Sequence, residues 1–550
     1  MKIGSKQLDH LGIIAGVIKE LDIINFIDTR LGVDSREVIT PGETVAGMIL
    51  NGLGFCSQPL SLTPDFFETK ALDQLFGKEM DHESFNRFKL GRVLEDCYTY
   101  DCSKLFSEIS AMVCKKQNVD LRFNSLDTTT ISLTGEYDQW SDEHAIKITQ
   151  GYSKDHRPDL KQATLEMMVS QDGGIPTVFM AYDGNASDTK IFKERSKKLL
   201  EAFKSGDMPR YLIADSKLYT KENLDSNLKV LPFITRIPAS IKLENQTISE
   251  ALQNESNWHK FDDKSTYKSA IVENWGHKQR WIVITSEESR TRSEKRVSKL
   301  LNKELETLQK LSSKCSKERF SCQSDAEQSL KEIQKQARLH QVSIKSIEEH
   351  KVFQTRGKPT EKTPFQIVYQ VIFEIIENKD LIAENIKQGS CWVIGTNIPE
   401  NELADTEVIQ AYKNQNSSVE RGFRFLKDPI FFTSTLFLKK PERIEALLMV
   451  MTLSLLVYTI AERIMRSHLQ QMEKTLPNQI KKEISKPTLR WVFFLMRGIS
   501  LIEEDIGGKS TKIIINMTAL KSKIIVTTNL GEHEFIILIN FCASQLQFFK

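Results

Sequence analysis

The chain has 550 residues, which at about 150 residues per domain leaves room for three or four folded units. With 40% hydrophobic and 27% charged residues, 25 Gly and 15 Pro, it falls outside the disordered, collagen-like and mucin-like classes and reads as a soluble multidomain protein. The net charge of +2 is unevenly spread, at −4 over residues 1–118, −2 over 119–240, +3 over 241–400 and +5 over 401–550, so a polyanionic partner is allowed and favoured toward the C-terminal half.

Residues 1–118 read as several short helices: LGIIAGVIKEL, then PGETVAGMILNGLG with Pro41 at a helix start and Gly52 and Gly54 at its stop, then Glu83 to Cys114 at a period near 3.6. The charges that interrupt the first apolar stretch exclude a secretory signal. From Leu121 the texture changes to strand-like runs, LRFNSL, ATLEMMVS and IPTVFMAY, with turn chemistry in GYSKDHRPDLK and QDGG between them. A helical stretch from Thr189 to Lys204, the strand YLIAD, a helical turn around Lys221 and the strand VLPFITR complete a pattern of three strands followed by alternating strand and helix, as in an α/β sheet.

Residues 241–390 read as an insertion, starting with a hairpin of TYKSAIVENW and KQRWIVITS about Gly276. The interval from His277 to Arg356 holds neither Gly nor Pro, and its apolar positions at Leu300, Leu301, Leu305, Leu308 and Leu311 predict a long helix with an antiparallel partner. QIVYQVIFEII and CWVIGT then return the chain to a sheet, and Glu402 to Lys427 is helical. The run Ala446 to Ala461 is uncharged but shorter than the ~20 residues that span a bilayer, so it predicts a buried core helix up to His468. The tail, IIINMTALKSKIIVTTN and EFIILINFC, resembles a β hairpin turning near Gly531. The eight cysteines include no CxxC pair and predict reduced cytosolic thiols.

Three acids could carry chemistry. Asp127, in NSLDTTTISL, ends an apolar strand as either a turn residue or a metal ligand. Asp215, in RYLIADSKLYT, ends another, as either the cap of the following helix or a ligand at the carboxyl end of an α/β strand. Glu420 lies on a polar helix, AYKNQNSSVERGFRFLKDP, with Arg424 at i+4, Lys427 at i+7 and Tyr412 about two turns earlier, either a solvated salt-bridged face or part of a site. Hard divalent cations take carboxylate oxygens, and two such ions can clamp the attacking and leaving oxygens of a phosphoryl transfer, so the three acids together suit that chemistry. No phosphate-binding GxxxxGK loop or GxSxG elbow competes with it.

The set SLDTTT, LIADSK and YKNQNSSVERGFRFLK resembles the DDE signature of bacterial insertion-sequence transposases, in the subgroup marked by Tyr, Arg, Glu and Lys around the glutamate. The sequence departs from that motif in having Asn416 where the arginine usually stands and Tyr412 one position further back, so Arg421 or Arg424 takes the arginine's place. The resemblance implies an α/β catalytic core with a ribonuclease-H-like mixed sheet flanked by helices, interrupted by an insertion of β hairpin and long helices and preceded by a mainly helical N-terminal domain. Its expected parts are 1–118 for DNA-end binding, 119–240 for the first part of the core, 241–390 for the insertion, 391–465 for the second part with the catalytic helix, and 466–550 for dimerisation or DNA contact.

The same resemblance implies a DNA transposase acting on terminal inverted repeats and target DNA, as a homodimer on paired ends, in the bacterial cytoplasm and away from the membrane. Asp127, Asp215 and Glu420 would hold two Mg²⁺ ions, with Mn²⁺ as a substitute, while Tyr412, Arg421, Arg424 and Lys427 position DNA phosphates. Trp281 in the inserted hairpin either stacks on an extruded base or is an ordinary buried strand residue. The alternatives of another class are a domesticated DNA-binding relative without cleavage and a ribonuclease-H-fold nuclease.

Overall fold

The computed structural model describes residues 2–56, 58–137, 144–186, 211–226, 231–254, 256–353, 361, 363–431, 438–506 and 509–528. They form two compact units, Met1–Thr235 with Glu407–Lys550, and Arg236–Thr406. The helix expected over Thr189 to Lys204, and the second strand of the expected terminal hairpin, lie outside the described residues.

In the first unit, the strand-like runs after Leu121 become Phe123–Leu133, Lys161–Ser170 and Pro176–Tyr182, joined as an antiparallel meander. Tyr211–Ala214 then lies parallel to Phe123–Leu133, and Phe233–Arg236 lies parallel to Tyr211–Ala214. Numbered along the chain, these five strands stand in the order third, second, first, fourth, fifth. Lys161–Ser170 is buried along nearly its whole length, as a strand covered on both faces must be.

Helices enclose this sheet. Pro41–Leu53 starts where the sequence indicated, on a capping box in which the Thr40 hydroxyl accepts from the Glu43 N–H and the Glu43 carboxylate accepts from the Thr40 N–H. The expected segment from Glu83 to Cys114 is broken into Arg87–Tyr100 and Cys102–Lys116, because Asp101 adopts a positive φ and caps the second helix through its carboxylate.

Pro441–Gln471 has the length and composition of a membrane span, but 94% of its most apolar window is buried. It packs against Leu11–Glu20, Pro41–Leu53, Arg87–Tyr100, Cys102–Lys116 and Pro176–Tyr182, so burial inside the fold accounts for its apolar run.

The ends of the chain correct two expectations. Lys2–Gln7 is a strand, paired antiparallel with Ser500–Ile506, which pairs in turn with Lys509–Ile515. KSKIIVTT is not a strand but part of the helix Ala519–Thr528, whose Ile524 and Ile525 are fully buried; that helix packs against Pro441–Gln471.

The second unit carries four antiparallel strands in the order Cys391–Thr396, His277–Ser286, Ser265–Asn274 and His259–Asp262, with the expected hairpin turning at Gly276. The long helix is Glu287–Cys315, and its partner is shortened to Gln323–Gln334 because His340–Phe353 is extended. QIVYQVIFEII does not join the larger sheet. It forms Phe365–Glu377, which pairs with His340–Phe353 in a separate two-stranded ribbon over a small core of Leu308, Ala326, Ile333, Val342, Val371 and Phe373. Trp281 has no exposed surface and its indole N–H donates to Gln279 Oε1, so no ring face is open for a base. The base-stacking role is thereby excluded.

Candidate active site

The parallel register that pairs Leu126 with Ala214 makes Asp127 and Asp215 the next residues along two neighbouring strands. Asp215 follows the last residue of its strand, and its carboxylate caps the next turn by accepting from the Lys217 N–H at 3.0 Å. The backbone carbonyl of Asp215 is held by the Thr235 hydroxyl at 2.7 Å. Asp127, by contrast, is not at a strand end: its strand continues to Leu133, kept extended by the antiparallel ladder with Lys161–Ser170 after its parallel neighbour has stopped. The two carboxylates thus meet at the edge where the parallel part of the sheet ends.

Asp127 is partly buried. Burial pushes its carboxyl above the usual range, Lys154 and the Thr128 N–H oppose that, and the neighbouring charge of Asp215 adds to it. The Thr128 N–H donates to Asp127 Oδ1 at 2.7 Å, and Lys154 Nζ stands 3.7 Å from the same oxygen. Lys154 is itself fixed, since its ammonium donates to the Thr128 carbonyl and, at 2.8 Å, to the Thr128 hydroxyl, and its backbone N–H donates to Thr130 Oγ1.

The helix Asp405–Leu426, which bears Glu420, packs over the sheet face that bears Asp127. Cross-strand neighbours in an antiparallel pair point to the same face, and Asp127 lies opposite Met167. Met167 meets the helix at Gly422, where an added Cβ would lie 2.7 Å from its Cε and 3.1 Å from Leu455 Cδ2. The glycine therefore lets the helix approach the sheet closely, and Glu420, about 200° further round the helix, lies on its outer side. A second tie is Gln171, whose side-chain amide donates to the Ala411 carbonyl at 2.6 Å and to Ser125 Oγ at 3.2 Å, two residues before Asp127.

A third tie is Lys427, two turns after Glu420 on the same face, whose Nζ bonds Asp155 at 2.7 Å beside Lys154. Glu420 itself is exposed. Among the described residues no three His, Cys, Asp or Glu side chains gather closely enough to hold a metal ion, so the structure joins Asp127 with Asp215 but does not bring Glu420 into contact with them.

Two adjacent carboxylates, one partly desolvated and each using only part of its lone-pair capacity on backbone N–H groups, are the donor type a hard divalent cation takes. Of the expected phosphate-positioning residues, Tyr412 lies on the same helix as Glu420, Arg421 bonds Glu462, and Arg424 is exposed. Sequence reasoning missed Lys154, Asp155, Met167 and Gln171. Lys154 and Asp155 lie in a segment whose composition indicates only a turn.

The Asp127, Asp215 and Glu420 segments fall within residues 120–457, which match the transposase DDE domain family, and residues 3–111 match a domain of unknown function, DUF4277. No curated protein matches the chain. A piggyBac transposase synaptic complex with hairpin DNA, solved by cryo-electron microscopy, is a structural neighbour at 9% identity, covering 90% of this chain and 82% of that one, with a TM-score of 0.34, too low to bear on the architecture. The match over 120–457 takes in more than half of the chain, and the protein belongs to the transposase DDE domain family.

Proposed function

We propose that the protein is a DNA transposase that binds the terminal inverted repeats of a bacterial insertion sequence and cleaves and joins DNA strands by phosphoryl transfer, with Asp127, Asp215 and Glu420 as its catalytic acids. The observation that carries this reading is the pair Asp127 and Asp215 on adjacent parallel strands, with the Glu420 helix packed over the same face. A three-stranded antiparallel meander followed by two parallel strands is the pattern read from the sequence for the core, and it supports the same reading.

Two divalent ions, Mg²⁺ or Mn²⁺, would polarise the scissile phosphate and activate the attacking oxygen. Asp127 and Asp215 supply fixed oxygens, one held by the Thr128 N–H and one by the Lys217 N–H. Lys154 balances charge beside Asp127, and Lys427 and Arg424 lie along the Glu420 face where DNA phosphates would be positioned. In this reading the protein works as a homodimer on paired DNA ends in the bacterial cytoplasm. Residues 1–118 contact the terminal repeats, 119–240 and 391–465 form the catalytic core, 241–390 interrupts it, and 466–550 adds DNA or dimer contacts.

The test is to incubate purified protein, in Mg²⁺ or Mn²⁺, with end-labelled DNA carrying the inverted repeats that flank its gene. The wild type is expected to nick the ends and join them to target. Asp127→Asn, Asp215→Asn and Glu420→Gln should each lose at least ~10²-fold, since even groups behind metal ligands are worth 10 to 100-fold. Cleavage at the wild-type rate by any one variant removes that residue from the site, and binding without cleavage by the wild type replaces a transposase with a DNA-binding relative.

A further inference from the structure

A cleft of about 630 Å³ lies in the first unit beside the catalytic helix, bounded by Asp405–Leu426, Pro441–Gln471, the turn at Gly173 and Gly174, and the segment from Lys486 to Arg490. Its floor includes Leu455, Phe425 and Tyr458, and its walls present Arg421, Arg424, Arg466, Lys486 and Arg490. Among the described residues, two acids offset these five cations. Glu462, buried beneath the cleft, bonds both Arg421 and Arg466 and also accepts from the Leu489 N–H at 2.9 Å. Asp428 bonds Arg490. Among the described residues no acid pairs with Arg424 or Lys486, both of which are exposed.

The arrangement is built rather than incidental. One glutamate fixes two guanidinium groups on different helices, and Arg490 is held between Asp428 and the face of Phe55, 5.1 Å from the ring centroid. Fixed cations in excess of fixed anions, over an apolar floor, make a receptor for a chain of separated negative charges. The cleft holds about 630 Å³ and is open to solvent, so a sugar-phosphate backbone can run across it. It also adjoins the catalytic helix directly, since Arg421 follows Glu420 in the chain and Arg424 lies one helical turn beyond it.

Resting on the transposase reading above, we propose that this cleft is a binding site for the phosphate backbone of one strand of duplex DNA, in which Arg466, Lys486 and Arg490 from the C-terminal segment extend the phosphate contacts of Arg421 and Arg424 away from Glu420. Contacts of this kind fix the register of the duplex and carry no base information. The site therefore acts on terminal-repeat and unrelated duplexes alike.

The test is equilibrium binding in chelator, without cleavage, of three probes: a duplex bearing the terminal repeat, a duplex of unrelated sequence, and a single strand. Each is titrated across a salt series. Removing one cation that neutralises a phosphate lowers the slope of log K against log salt by about 0.9 on a duplex. Lys486→Gln should therefore lower the slope by about 0.9, and Lys486→Gln with Arg424→Gln by about 1.8, equally on both duplexes, with Lys486→Arg restoring the wild-type slope. Both positions are exposed and, among the described residues, without a salt-bridge partner, so these variants fold; circular dichroism checks that they do. Unchanged slopes, a fall confined to the terminal repeat, or a fall confined to the single strand overturns the proposal while leaving the transposase reading in place. Absence of binding by the wild type to every probe overturns both.

Discussion

Acid should loosen the first unit through a single histidine. His10 sits between the strand Lys2–Gln7 and the helix Leu11–Glu20, is 7% exposed, and stacks on Phe493 with ring centroids 4.3 Å apart. Its Nε2 lies 2.8 Å from the Leu53 carbonyl, so the proton resides there and is donated; the buried Nδ1 has no hydrogen-bond partner among the described residues. A second proton would have to enter an apolar site with nothing to accept from it, and burial accordingly lowers the pKa from 6.5 to about 4.

The unfolded chain takes up that proton below about pH 6.5 and the folded chain does not until about pH 4, so the stability contribution is complete above the first value and is lost on the way down to the second. At about 1.36 kcal/mol per unit, the whole loss is roughly 3 kcal/mol. Hydrogen exchange of the Leu11–Glu20 amides, corrected for intrinsic rates, should show the opening free energy of the wild type falling by ~2 to 3 kcal/mol relative to His10→Gln between about pH 7 and pH 4.5. Parallel curves for the two proteins would refute the assignment of a neutral, buried imidazole.

Three further outcomes follow from the geometry. Glu462→Gln should destabilise the first unit by about 1 to 3 kcal/mol in thermal unfolding, because it removes the buried anion shared by the partly exposed Arg421 and Arg466; a loss below ~0.5 kcal/mol would show that solvent already screens them. Lys427 and Asp155 are each a quarter or more exposed, so a double-mutant cycle should give a coupling under ~1 kcal/mol, and a larger value would mean that this pair, and not the packing of Met167 on Gly422, holds the helix to the sheet. Trp281→Phe should leave DNA affinity unchanged while costing stability, as expected of a fully buried ring; a selective loss of DNA binding would restore a base-stacking role.

Much of the sheet could be read from composition because its strands are short apolar runs bounded by turn chemistry. Asp127 and Asp215 stood out because each adjoins such a run. What the sequence did not contain was register. That Asp127 lies beyond the parallel pair Leu126 and Ala214, and opposite the Met167 that packs on Gly422, depends on pairings between segments 40 to 255 residues apart. Local pattern also misled where tertiary burial outweighs propensity. KSKIIVTT is rich in β-branched residues, yet it is helical because Ile524 and Ile525 fill the core beside Pro441–Gln471. KIGSKQ carries almost no apolar signal, yet it becomes a strand because the Ser500–Ile506 edge offers it a full ladder.

The same distinction separates the parts of the candidate site. Asp127 and Asp215 were legible as acids beside apolar runs, where a turn or cap role and a ligand role read alike, and it was the resemblance of SLDTTT, LIADSK and YKNQNSSVERGFRFLK to a known signature that grouped them with Glu420. Among the groups that set their electrostatics, Lys154 beside Asp127 and the Asp155 that bonds Lys427 lie in a segment whose sequence shows only a turn, and their roles exist only once the meander has closed around them. The basic cleft is a still clearer case. Its five cations come from three separate stretches of chain, two of them held by one buried glutamate and a third by Asp428, so no local window contains the feature; the weak positive excess of residues 401–550 is its only trace in the sequence. A site made of charges spaced along one strand can therefore be missed by motif and still be fixed by the fold, because phosphate recognition asks for the placement of charge and not for a particular order of residues.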